Sequence, residues 1–324
     1  MSGPTIAHIA EAAGVATSTV SRALSNPTRV SATTRLRIEE VARSLGYLAR
    51  GRVRTRSIAV IVADIGNPFY FEVIRGTQHQ LRAADYSQIL IDTEESGDVE
   101  ADLIEHLRPT LDGVVLAASR LSDAAITRLA QTIPVVVINR NIPSVPSVIM
   151  DTATGMDQAL EHLVSLGHRE LVYVSGPERS WPNAIRRRAL ESAAERHGLT
   201  LGRIGPFAPR RTSGTAAADA LINSGATAAI AYNDLIAIGM LSRLAERGVN
   251  VPGDLSIVGC DDIFGADFCS PALTTVTTPI EQAARVAVTL LLGSLESRPG
   301  GRRDGVVLPT HLTVRASTGV SRAS

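Results

Sequence analysis

Ile6-Ala-His-Ile-Ala-Glu-Ala-Ala-Gly-Val-Ala-Thr-Ser-Thr-Val-Ser-Arg-Ala-Leu24 reads as two short helices and the tight turn between them. Ile6, Ile9, Ala10 and Ala13 share one face with Glu11 turned outward, which predicts an amphipathic helix over 5–13. Gly14 can take the left-handed conformation that stops such a helix, and Val15 follows as the apolar residue sealing the turn. A second helix is expected over 17–25, with Val20, Ala23 and Leu24 inward and Thr17, Ser18, Ser21 and Arg22 outward. Ser31 is a good N-cap for a third helix that buries Ile38, Val41, Ala42 and Leu45 before Gly46 ends it. Two helices joined by a turn of about three to four residues, with a polar outer face on the second, make a reader for the DNA major groove. The pattern alone is shared by many three-helix units.

Charge narrows the choice. Residues 1–56 carry nine arginines against Glu11, Glu39 and Glu40, so this segment is +6 and the rest of a chain of net charge zero is −6. A basic head on an acidic body suits a polyanion-binding module joined to a separate domain, although a solvated arginine face would look the same on charge alone. The chain of 324 residues contains no lysine, which excludes a Schiff-base lysine and a Walker A loop. Cys260 and Cys269 are the only cysteines, too few for a disulfide framework or a four-thiolate zinc site.

From Ser57 onward, apolar runs alternate with helical patterns. Strands are expected at 58–63, 88–92, 113–117, 134–138, 171–175, 227–232 and 255–259, and helices between them at 71–84, 157–166, 185–197 and 235–247. Such alternation predicts parallel sheets covered on both faces, and this many strands suits two sheets. The fold class expected is therefore an all-α helix-turn-helix head plus an α/β body. Open parallel sheets bind ligands at the carboxyl ends of their strands, and polar clusters recur there: Asp64-Ile-Gly-Asn67, Asn139-Arg140, Gly176-Pro177, Asn233-Asp234 and Cys260-Asp261-Asp262. Each cluster taken singly could be a turn.

The head stretch, with Val30-Ser31, Thr34-Arg35 and Leu45-Gly46-Tyr47, resembles the lac repressor (LacI/GalR) family. The body resembles the same family's effector domain, which is like the periplasmic sugar-binding proteins. Asn67-Pro-Phe-Tyr70, Asp112-Gly-Val-Val115, Leu166-Gly-His-Arg169, Leu255-Ser-Ile-Val-Gly259 and Pro271-Ala-Leu-Thr-Thr-Val276 carry that likeness, in family order. The resemblance implies a transcription regulator, a repressor, whose operator affinity is modulated by a small polar effector such as a sugar bound between two lobes. It assigns Thr17, Ser18 and Arg22 to base reading, with Ser21 beside them on the outer face, and Asn67, Phe69, Tyr70, Asn139, Arg186, Asn233 and Asp261 to the effector. Arginine suits guanine O6 and N7, and for a polyol Asp261 can accept two hydroxyl hydrogen bonds while Arg186 can donate a planar pair. Trp181 is a further candidate wall, and Arg187 and Arg188 are expected to point away from Arg186 because successive helix positions diverge. Ala16 departs from the family's usual capping serine, so that Thr17 could take over the cap and be withdrawn from the bases. Asn139 stands where many relatives carry aspartate, and Cys260 where an aromatic is common.

The implied domains are a DNA-binding head at 1–48, an Arg-rich linker at 49–57, and an effector-binding and dimerisation domain at 58–324. Lobe 1 would span about 58–150 and 279–309, lobe 2 about 151–278 and 310–318, with crossings near 150–151, 277–280 and 308–309. A head reading a palindromic duplex operator implies a homodimer, and the stretch after Arg315 holds no heptad tail for a tetramer. Relatives carry a longer connector with a hinge helix. Here Gly51 disfavours a helix, and Arg50, Arg52, Arg54 and Arg56 alternate as a basic strip expected to meet DNA backbone. No enzyme motif is present, His162 and His168 lack a third ligand in register, and neither a cofactor nor a metal is expected. A periplasmic binding protein is the rival reading of the body. Against it stand the basic head and the lack of a signal-peptide pattern at the start, and a cytoplasmic location with no membrane association is expected.

Overall fold

The structure, a computed structural model, describes residues 5–25, 30–45, 55–296 and 305–322. The chain forms two compact units, Met1–Thr55 and Arg56–Ser324. In the first, α1 (Ile6–Ala13), α2 (Thr17–Ser25) and α3 (Ala32–Ser44) enclose Ile9, Ala10, Ala13, Val20, Ala23, Ile38 and Ala42. Thr5 caps α1 in a reciprocal box: its hydroxyl accepts from the His8 amide, and its own amide donates to the His8 ring. Gly14 ends α1 at φ 64°, where a β-carbon would be strained, and the Val15 amide reaches back to the Ala10 carbonyl at 3.0 Å. Ser31 caps α3 through the Thr34 amide. Leu45, expected inside, is 40% exposed, because α3 ends one residue before it and the last turn no longer holds it on the apolar face. Leu48, Arg50, Arg52 and Arg54, and with them most of the linker, lie outside the described residues.

The second unit holds two six-stranded sheets of one design. In the first, β1 (Ser57–Val62), β2 (Ser87–Asp92), β3 (Gly113–Ala117), β4 (Val135–Ile138), β5 (Ser147–Met150) and β11 (Val306–Leu308) run in the order β2-β1-β3-β4-β5-β11, all parallel. In the second, β6 (Leu171–Val174), β7 (Leu201–Ile204), β8 (Ala228–Ala231), β9 (Ser256–Asp261), β10 (Thr274–Thr277) and β12 (His311–Thr313) run as β7-β6-β8-β9-β10-β12, parallel except for β12. The central strands β1, β3, β4, β6 and β8 are nearly continuous apolar runs because both faces are covered. Ile58, Val60 and Val62 face α4 (Phe69–Ala83) and α11 (Ile280–Glu296), while Ala59 and Ile61 face Ile104 of α5 (Gly97–Leu107) and Ile126 of α6 (Asp123–Ala130). The second sheet packs likewise on α7 (Thr152–Ser165), α8 (Trp181–Arg196), α9 (Ser213–Ser224) and α10 (Asp234–Glu246).

The chain passes from sheet to sheet after Met150, Thr277 and Leu308. Hydroxyls tie these crossings. Thr310 donates to the Asp151 carbonyl at 2.7 Å, Thr277 to the Asp262 carboxylate at 2.8 Å, and Thr278 to the Asp261 carbonyl at 3.1 Å. Among the described residues no helix is long and apolar enough to cross a membrane.

Candidate functional site

In each sheet the strand order reverses beside the first strand, between β1 and β3 and between β6 and β8, and a crevice opens at the carboxyl ends where the connections diverge to opposite faces. The residues after those strands meet. Asn67, Phe69 and Tyr70 follow β1, Glu95 follows β2, Ala118 and Arg120 follow β3, Pro182 and Arg186 follow β6, Tyr232 and Asn233 follow β8, and Asp261 ends β9; all line one cavity of about 30 Å³. Six of the seven residues expected at an effector site are thus brought together. Asn139 is the exception: its side-chain oxygen accepts from the Met150 amide at 3.2 Å, which binds it to the base of the first crossing. Trp181 is half-buried in the first turn of α8 and is not part of the lining, which Pro182 supplies instead.

The two asparagine oxygens are engaged by backbone. The Asn67 oxygen accepts from the Phe69 amide at 3.1 Å, and the Asn233 oxygen caps α10 through the Ile236 amide at 3.1 Å while its nitrogen donates to the Pro209 carbonyl at 3.5 Å, which leaves N–H groups of both side-chain amides to donate. Arg186, 2% exposed, gives one terminal nitrogen to the Asp261 carboxylate at 2.8 Å and the other to the Tyr232 carbonyl, with its guanidinium 5.0 Å from the Tyr232 ring centre. Its Nε is buried without a partner. An orphaned donor of this kind costs about 1–3 kcal/mol, and an acceptor atom brought by a ligand would recover it. Arg187 and Arg188 turn instead to Glu191 and the Ala184 carbonyl. Burial raises the Asp261 carboxyl above the usual carboxylate range, and Arg186 opposes that rise. Asp261, the last residue of β9, has φ 113°, a strained value for a residue with a side chain.

Sequence reasoning did not find Glu95, Arg120 and Tyr232. Arg120 donates from Nε to Glu95 at 2.7 Å and from a terminal nitrogen to the Ala118 carbonyl at 2.8 Å, and its side chain is almost fully buried. The signal available was position alone, since both members of the pair follow strand ends. Tyr232 bonds Ser180 through its hydroxyl at 3.0 Å. Among the described residues no group of three or more His, Cys, Asp or Glu side chains is placed to hold a metal ion.

On the head, Thr17, Ser18, Ser21 and Arg22 lie exposed on α2. Arg22 folds back along its helix, donating to the Ser18 carbonyl at 3.2 Å and to its hydroxyl at 3.3 Å. The Ala16 carbonyl accepts the first helical bond from Val20 at 3.1 Å, which puts Ala16 in the cap position and Thr17 in the first turn, on the surface.

Comparison with known proteins matches residues 5–49 to the bacterial regulatory proteins of the lacI family and residues 160–318 to a periplasmic binding protein-like domain. The HTH-type transcriptional repressor CytR of Escherichia coli (strain K12) is 33% identical over 330 residues, covering 97% of this chain and 96% of its own. Among solved structures, a complex of the transcriptional regulator CelR with cellobiose shares 28% identity at a TM-score of 0.74, covering 97% of this chain and 99% of that one. A LacI family regulator from Enterococcus faecium with bound ribose shares 29% identity at a TM-score of 0.74, covering 82% of this chain and 100% of that one.

Proposed function

Because the chain belongs to the lacI family of bacterial regulatory proteins and is a DNA-binding transcription regulator rather than an enzyme, we propose that it represses transcription in the cytoplasm as a homodimer on a palindromic operator, released or recruited by a small polyhydroxylated effector. The observation that carries the effector reading is the cavity between the sheets. There Asn67, Asn233 and Arg186 offer donors, Asp261 offers a carboxylate, and Phe69, Tyr70 and Tyr232 offer ring faces for the apolar side of a sugar. Relatives solved with cellobiose and with ribose support the same class. Thr17, Ser18, Ser21 and Arg22 read base edges, Arg22 by leaving Ser18 for guanine. Arg50, Arg52 and Arg54 neutralise phosphates.

One titration series tests the reading: operator fragments selected from genomic DNA, with fluorescence anisotropy of the selected duplex at several salt concentrations and with sugars added. Arg22→Ala is expected to cost about 1–3 kcal/mol and to relax selectivity at one base pair per half-site. A sugar that shifts wild-type operator affinity by roughly 5- to 150-fold should lose that effect in Asp261→Asn, while DNA affinity without sugar stays unchanged. Equal responses in the two proteins would place the effector elsewhere.

A further inference from the structure

Outside the polar cavity a charged contact ties one lobe to the other. Arg210, on the connection from β7 to α9, donates from Nε to the Asp64 carboxylate at 3.2 Å, and Asp64 follows β1 of the other sheet. The crossings already join the lobes through the chain. Asp64 stands apart from them, because β1 is three strand spacings from β5, roughly 14 Å from where the first crossing leaves. A bond set off from the pivot has a lever arm that the hydroxyl bonds at the crossings lack.

Both ends of the pair are fixed to backbone. The Asp64 carboxylate also accepts from the Gly66 amide at 2.9 Å, and the Ile65 amide donates to Asp92 at 3.2 Å. Opposite, the Arg210 carbonyl accepts from the Ser213 amide at 3.1 Å and the Arg211 carbonyl from the Gly214 amide at 3.0 Å, with the Arg211 oxygen packed against Gly239 of α10. Neither turn is free to follow the other if the lobes part.

Each end is also one step from a residue of the cavity. The Asn67 amide donates to the Asp64 carbonyl at 3.0 Å, and Pro209, directly before Arg210, accepts from the Asn233 side chain at 3.5 Å. Asn67, Pro209 and Asn233 all line the cavity. Its volume of about 30 Å³ is far below the about 300 Å³ at the small end of small-molecule sites, so the walls have to separate before a ring can enter. Drawing Asn67 away from Asn233 draws Asp64 away from Arg210.

We propose that the Arg210–Asp64 pair is a latch, an autoinhibitory contact that holds the two lobes in this narrow arrangement and sets how readily the body opens. That the opening admits an effector rests on the reading above, whereas the latch itself does not.

Distances between spin labels on the full-length protein, with no ligand added, test the latch. Ala124 of α6 and Ala216 of α9 are exposed, one on each lobe, and carry the labels as Ala124→Cys and Ala216→Cys. Cys269→Ser removes the half-buried native thiol, and Cys260 is fully buried. Labelled protein is diluted with unlabelled protein so that distances within one chain are read, and retained operator binding reports folding. Because exposed ion pairs are weak, Arg210→Gln and Asp64→Asn are each expected to raise the ratio of wide to narrow distances about two- to fivefold. The double variant should be no wider than either single one, and Arg210→Lys should stay within about twofold of wild type. Raising salt should widen wild type and leave Arg210→Gln unmoved. Distributions unchanged in Arg210→Gln, or effects of the two substitutions that simply add, overturn the latch. Calorimetric titration with ribose and with cellobiose then tests the consequence, tighter binding by Arg210→Gln of about two- to fivefold. If the distances respond and neither sugar binds more tightly, the latch stands and its coupling to effector entry falls.

Discussion

Asp234 is a fully buried carboxyl in the first turn of α10, held by the Thr275 hydroxyl at 2.6 Å and the Ile263 amide at 2.9 Å. Burial, and next the charge of Asp261, push its pKa up to about 7. An unfolded aspartate titrates near about 3.9. Between these values the folded chain keeps a proton that the unfolded chain has lost, so this group's contribution to stability declines as pH rises through the window and levels off above about 7. Asp234→Asn removes the decline. Urea unfolding at pH 5, 6, 7 and 8 should show the variant gaining on wild type by at most about 1.4 kcal/mol per pH unit, and ceasing to gain above pH 7; parallel pH profiles would contradict this. The same residues show what a linear text conveys. Asn67, Asn233 and Asp261 could be picked out because turn-forming polar residues recur after apolar runs, whereas Arg186, inside α8, was assigned only by the family resemblance. That Arg186 and Asp261 bond each other was not legible, because that contact spans 75 positions. Asn139 was placed by a resemblance in which the position is usually acidic; an amide can serve the Met150 backbone instead.

Elements were legible where burial on both faces left an unbroken apolar run. The runs at β1, β3, β4, β6 and β8 are enclosed on both faces and stand out as unbroken apolar stretches. By contrast β7 has no fully buried residue, β11 and β12 are three residues each, and β10 is Thr-Thr-Val-Thr, so neither alternation nor a run announces them. Close helix contact is likewise invisible until coordinates supply the partner. Gly239 of α10 faces α9 so closely that a β-carbon would stand 2.0 Å from the Arg211 carbonyl oxygen, and one at Gly214 would stand 2.3 Å from the Gly239 backbone. Backbone atoms cannot step aside as a flexible side chain can. Gly239→Ala is therefore expected to destabilise the second unit by about 1–3 kcal/mol through overpacking, despite alanine's higher helix propensity. A lowered urea midpoint at unchanged slope is the expected reading, and an unshifted or raised midpoint would mean that the crossing can widen.

At the scale of the whole molecule the open question is how a DNA-reading head is joined to an effector-binding body. Family connectors are longer and carry a hinge helix; here only residues 48–56 stand between Tyr47 and β1. Nine residues reach at most about 30–32 Å, which tethers a head but leaves little chain for a helix as well. Gly51 disfavours a helix by roughly 1 kcal/mol relative to alanine, and four arginines at alternate positions place charge rather than apolar side chains along the segment. Leu48 is the residue there whose side chain is of the kind that wedges into a minor groove. The operator should accordingly be held by phosphate neutralisation and by the major-groove contacts of α2, with a modest bend. Circular-permutation gel shifts measure that angle, and a salt titration measures the number of phosphates engaged. Arg52→Ala should weaken binding across sequences alike and make the plot of log affinity against log salt shallower by about one unit per head. Leu48→Ala should leave the bend unchanged. A sharp central kink abolished by Leu48→Ala would establish a wedge after all, and control by the effector would then run through insertion of that leucine; without the kink, the remaining lever is the spacing between the two heads, which a dimer alters when its bodies respond to ligand.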